Sequence, residues 1–116
     1  MSRAEAVAAY GQAWRERDET ARLALLQQVW ADDGIYCDPQ VLLPDRAALA
    51  RHIGSFQTSA PDWDIVITSE PLEHHDAAHF RWSIRDGSGA DVVTGLDVAV
   101  FDERGRITRL TGFFTG

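Results

Sequence analysis

Three side chains of this chain could do proton chemistry: Asp97, Asp38 and Tyr10. Asp97 sits in the run Gly95–Leu96–Asp97–Val98–Ala99–Val100–Phe101, where it is the one ionisable group. As a strand, this run puts Gly95, Asp97, Ala99 and Phe101 on one face and Leu96, Val98 and Val100 on the other. Burial among apolar neighbours disfavours the charged form of a carboxyl and raises its pKa. Such a group can donate a hydrogen bond at neutral pH. Asp38 follows Ile35 and Tyr36 at the end of a short strand and directly precedes Pro39. A carboxylate there can face a pocket while partly wet and ionised, which suits a general base. Tyr10 shares a helical face with Val7 and Trp14, at i, i+3 and i+7. Two carboxylates in unlike environments plus a phenol can move a proton next to a carbonyl without metal or cofactor. Each residue also has a plainer reading: Asp-Pro opens turns, and an aromatic at helical spacing is often only core.

The elements that must position these groups run helices first and strands after, which argues for an α+β fold. Ser2 with Glu5 forms a capping box for a first helix. Asp18 caps a second, whose buried side is Ala21, Leu23, Leu25, Leu26, Val29 and Trp30. Asp32, Asp33 and Gly34 are expected to stop it. Ile35 to Asp38 reads as a strand and Leu42 to Pro44 as loop. Asp45 caps a third helix carrying Leu49, His52, Ile53 and Phe56. Trp63 to Ser69 reads as a strand with Trp63, Ile65 and Ile67 on one face. Ala78–Arg85, Val92–Phe101 and Ile107–Phe114, joined by turns at Asp86–Gly89 and Glu103–Gly105, form an antiparallel meander. Gly95 and Gly112 inside strands suggest bulges or sharp curvature. A curved sheet with helices on its concave side leaves room for a pocket. Its expected wall is Trp14, Trp30, Tyr36, Ile53, Phe56, Phe80, Trp82 and Phe114, with His52 a candidate for the rim.

Composition narrows the partners. A chain of 116 residues supports a single domain, 1–116, with one core. The net charge of -7 and the absence of a basic run exclude nucleic acid as a partner. Charges spread through Met1 to Arg17 exclude a signal peptide, and no stretch reaches membrane-spanning length, so a cytoplasmic protein is expected. Cys37 is the only cysteine, so no intrachain disulfide forms; it is expected to point away from the pocket. His74 and His75 would point to opposite faces of a strand, and no Cys/His set has metal-ligand spacing. No metal and no cofactor are expected. Leu96, Val98 and Val100 give the outer sheet face more apolar surface than a monomer normally shows, which predicts a homodimer.

Two segments add a resemblance. The run Trp30–Ala31–Asp32–Asp33–Gly34–Ile35–Tyr36–Cys37–Asp38–Pro39 resembles the entry into the first strand of the NTF2-like superfamily. The run from Gly95 through Asp97 and Gly105 to Ile107 is similar to the same superfamily, particularly its SnoaL-like branch. The order of helices and strands agrees over nearly the whole chain. The resemblance implies an NTF2-like cone: three N-terminal-half helices on a strongly curved, mostly antiparallel sheet, enclosing a pocket and usually dimeric. Within that superfamily, steroid Δ-isomerases use an Asp base before a Pro, a Tyr on the first helix and a protonated Asp on a late strand. Asp38, Tyr10 and Asp97 match those positions. Two features depart from the isomerases. About one extra helical turn separates Asp18 from Trp30, and the strand His79–Phe80–Arg81–Trp82 has a polar face. Polyketide cyclases of the SnoaL type also use a late-strand Asp. The expectation is a pocket for a small hydrophobic carbonyl compound, with cofactor-free isomerase chemistry. The alternatives are a non-catalytic ligand-binding or dimerisation module and a cyclase-type enzyme.

Overall fold

Each helix begins at a side chain that satisfies an orphan backbone N–H, a contact of about 1 kcal/mol. In the computed structural model, which describes residues 1–116, helix α1 spans Arg3–Arg15. The Ser2 hydroxyl accepts from the Glu5 N–H at 3.0 Å, and the Glu5 carboxylate accepts from the Ser2 N–H at 2.9 Å. Asp18 accepts from the Ala21 N–H at 2.8 Å and opens α2 (Glu19–Val29). Asp45 accepts from the Ala48 N–H at 2.9 Å and opens α3 (Arg46–Ser59).

Helix α2 ends sooner than Asp32–Asp33–Gly34 suggests. Trp30 is already extended and starts strand β1 (Trp30–Cys37). Its indole N–H donates to the Gly34 carbonyl at 3.0 Å, and its backbone pairs with Ile107, so long-range contacts override the local stop signal. Leu42–Leu43 forms a short β2 on Tyr36–Cys37 rather than free loop. β3 (Asp64–Ile67), β4 (Leu72–His74), β5 (Ala77–Arg85), β6 (Asp91–Phe101) and β7 (Ile107–Phe114) follow. The sheet order is β2-β1-β7-β6-β5-β3, with β4 also paired to β5. All pairs are antiparallel except β1 with β7. The fold is α+β: three helices on a strongly curved, mostly antiparallel sheet.

The meander has its irregularities at Ile84/Arg85 and Val100/Phe101, not at Gly95 or Gly112. Those glycines serve close approach instead. A Cβ on Gly95 would collide with the Trp82 indole, which lies against the β6 backbone there. The helices cover the sheet face that carries Gly95, Asp97, Ala99 and Phe101, all buried, whereas Val98 on the other face stays exposed. Trp30, Leu26, Leu49, Ile53, Phe80, Ile107 and Leu110 are fully buried and form the centre of the core. No helix is long and apolar enough to cross a membrane.

Candidate functional site

Beside this core lies a cavity of about 400 Å³ whose 18 lining residues include 11 hydrophobic ones. A mostly apolar wall with a few convergent polar groups is the usual composition of a small-molecule site. α1 contributes Tyr10 and Trp14, and the end of β1 contributes Tyr36 with Asp38 just beyond it. β5 and β6 contribute Trp82 and Asp97. The three residues singled out by their chemistry therefore open on one space.

Asp97 is 7% exposed on the covered face of β6. Its Oδ1 accepts from the Trp82 indole N–H at 2.9 Å. Burial pushes the carboxyl up to about 7; the Trp82 N–H opposes that rise and the nearby Asp38 charge adds to it. Because Oδ1 is occupied by a donor, Oδ2 is the oxygen free to carry the proton. Tyr10 is buried, stacked on Trp30 with centroids 5.6 Å apart and edge-on to Phe80 at 6.3 Å. Burial, then the Asp97 charge, hold its phenol well above the ordinary range. The Trp14 indole tempers that rise without reaching hydrogen-bond geometry. No buried side-chain oxygen lacks a partner, so the unbonded Tyr10 hydroxyl opens on the cavity. It is a donor awaiting an acceptor.

Asp38 does two things at once. Its Oδ1 accepts from the backbone N–H groups of Gln40 (2.8 Å) and Val41 (3.1 Å), which builds the turn that an Asp-Pro pair suggests. Its Oδ2 accepts from the Tyr36 hydroxyl at 2.7 Å and faces the cavity. The Tyr36 phenol is itself pushed up, first by burial and then by Tyr10 and Asp38, so it stays a donor. Gly112 of β7 lies between the two acids. A Cβ there would sit 2.8 Å from Asp97 Oδ1 and 3.5 Å from Asp38 Cβ. The missing side chain is what lets both carboxyls approach one end of the cavity.

Of the residues expected in the wall, Trp14, Tyr36, Phe56, Trp82 and Phe114 line the cavity. Trp30, Ile53 and Phe80 do not. The Tyr10 ring covers Trp30 and meets Phe80, so both lie behind it, and Ile53 turns with Leu49 into the core. Phe80 and Trp82 face inward, which turns the polar residues His79 and Arg81 outward to solvent. His52 lines the cavity, with its ring 5.9 Å from Trp14 and 6.0 Å from Tyr36. Ser55 and Ser59 also line it; they follow His52 at i+3 and i+7, a helical stripe visible in the sequence. Tyr36 as the partner of Asp38 was also readable, since residues two apart on a strand share a face.

Cys37 is half-buried beside Thr111 and Arg109, outside the cavity. His74 and His75 do not diverge as strand neighbours would. His75 takes a positive φ of 51°, and the two Nδ1 atoms come within 3.1 Å at an exposed turn. No group of three or more His, Cys, Asp or Glu side chains is placed to hold a metal ion.

No family model and no curated protein matches the sequence. Solved structures do. A proposed isomerase of the SnoaL-like family from Agrobacterium tumefaciens is 29% identical over the whole of both chains, with a TM-score of 0.92. A proposed polyketide cyclase from Sinorhizobium meliloti is 20% identical over 93% of each chain, with a TM-score of 0.74. A SnoaL-like protein of unknown function from Burkholderia thailandensis is 17% identical over 98% of this chain and 96% of its own, with a TM-score of 0.74. The last two likenesses speak to the fold alone.

Proposed function

We propose that this chain, a SnoaL-like protein of the NTF2-like superfamily, binds a small hydrophobic carbonyl compound and moves a proton at the carbon beside its carbonyl. One observation carries the reading: Tyr10 and the Asp97 carboxyl, which burial holds up to about 7 so that its protonated form is present as a donor up to neutral pH, open on the same apolar cavity as the acceptor carboxylate Asp38. In the forward step Asp38 Oδ2 takes the proton from the α-carbon, and the electron pair moves onto the carbonyl oxygen. Tyr10 and Asp97 donate hydrogen bonds to that oxygen as its charge develops. A preorganised donor of this kind is worth about 3 kcal/mol of barrier. For a β,γ-unsaturated ketone, Asp38 then returns the proton to the γ-carbon and the double bond ends in conjugation. The likeness to a proposed SnoaL-like isomerase supports the assignment.

A second reading has its own support. Asp38 already accepts three hydrogen bonds, whereas Asp97 near 7 is poised to exchange a proton at neutral pH. In a cyclase-type aldol reaction Asp97 alone would be the essential acid–base group. The active form proposed is a homodimer through the sheet face of Leu96, Val98 and Val100. Ultraviolet absorbance with a β,γ-unsaturated 3-ketosteroid tests the first reading. A rising conjugated-enone band that disappears in Asp38→Asn is expected. A band that persists in Asp38→Asn but not in Asp97→Asn would move the acid–base role from Asp38 to Asp97, and no band with wild type would remove that substrate class.

A further inference from the structure

On the far side of the α3 crest from the cavity runs a groove lined by Arg17, Arg22 and Arg51, with Glu19 its one carboxylate. In a chain of net charge -7 that is a local reversal of sign. The groove and the cavity share two wall residues, Ser55 and Ser59. Arg17 is already committed to Asp64 at 3.3 Å. Arg22 is different: it is 6% exposed yet pairs with no carboxylate. Its Nε donates to the Glu16 carbonyl at 3.2 Å and its Nη2 to Gln57 Oε1 at 3.0 Å. Those contacts cap the end of α1 and leave Nη1 without a partner. Nη1 lies against Gly54, where a Cβ would sit only 3.0 Å away, so the glycine keeps that edge open to the groove. Arg51, one helical turn before Ser55, is in no ion pair. A buried guanidinium with one free edge and no counter-charge is a ready partner for an anion.

We propose that the carbonyl compound carries an anionic group, a carboxylate or phosphate ester, that leaves the cavity over Ser55 and Ser59 and is held by Arg22 and Arg51. This rests on the cavity being the ligand site. It assigns the apolar body and carbonyl to the cavity and the charge to the groove, so binding orients the carbonyl toward Tyr10 and Asp97.

The test is a titration of tryptophan fluorescence, reported by Trp14, Trp63 and Trp82 in the cavity wall. The probes are valerophenone and 4-benzoylbutyrate, which share an aryl ketone and a similar chain and differ in a terminal carboxylate. At low salt and neutral pH the anionic probe is expected to bind about tenfold more tightly, the size of one charge-assisted contact. Arg51→Gln removes a surface charge, and Gly54→Ala crowds Arg22 Nη1 while favouring the helix. Each should shrink the preference several-fold and leave valerophenone binding unchanged. Equal affinities, or a preference that survives both substitutions, would overturn the proposal while valerophenone binding still upholds the cavity. Loss of both probes with wild type would overturn the cavity reading and this one together.

Discussion

Asp97→Asn should make the fold less sensitive to pH and more stable in mild alkali. The wild-type carboxyl is held at about 7 against an ordinary 3.8, chiefly by burial. Between those values the folded chain keeps a proton that the unfolded chain gives up. Stability is therefore fully present below about pH 4, falls as pH rises, and has lost this contribution above about pH 7. At 1.36 kcal/mol for each pH unit the full loss is about 4 kcal/mol, a large share of a small domain's stability of roughly 5–15 kcal/mol. Asparagine keeps the shape and an oxygen to accept from Trp82, and its amide N–H takes the place of the acid proton. Urea unfolding of both proteins across that pH range isolates the effect, because every other titrating group is common to them. The variant is expected to gain steadily on wild type as pH rises. Parallel stability curves would refute the buried-acid account, and a wild type that gains on the variant with pH would reverse its sign.

Three further outcomes are expected. Gly112→Ala places a Cβ 2.8 Å from Asp97 Oδ1, so the acid must move off Trp82; a loss of about 2 kcal/mol in urea unfolding should follow. Tyr36→Phe removes the 2.7 Å donor to Asp38 and should cost about 1–2 kcal/mol by the same assay, with unchanged far-ultraviolet circular dichroism. Val98→Lys on the open sheet face should turn a dimer into a monomer by sedimentation; a wild type already monomeric at micromolar concentration would remove the dimer.

Features written in local chemistry are the ones legible in the sequence. Ser2, Asp18 and Asp45 mark helix starts because an N-cap is a contact with residues three along the chain. The end of α2 is not local: Trp30 leaves the helix for the carbonyl of Gly34 and the backbone of Ile107. β4 escapes notice because Leu72–His74 is three exposed residues, too short for a period to register. At the site, Asp97 stands out as an acid in an apolar strand, and Asp38 and Tyr10 by type and position. Which large side chains meet the void is another matter. Trp30 and Phe80 differ from Trp14 and Trp82 only in lying behind the Tyr10 ring or beside it, and residue size does not encode that order. Gly95 and Gly112 announce something unusual within strands, yet the sequence cannot say that the cause is a ring and a carboxyl pressed against the backbone.

The most direct test of the central claim asks for the proton itself. Valerophenone is incubated in deuterated buffer with wild type and with Asp38→Asn, and loss of the α-proton signal is followed by NMR. Proton transfer beside the carbonyl predicts exchange faster than buffer with wild type and none above buffer with the variant, while both still bind the ketone. Exchange at the buffer rate with wild type, or equal exchange by the variant, would contradict it.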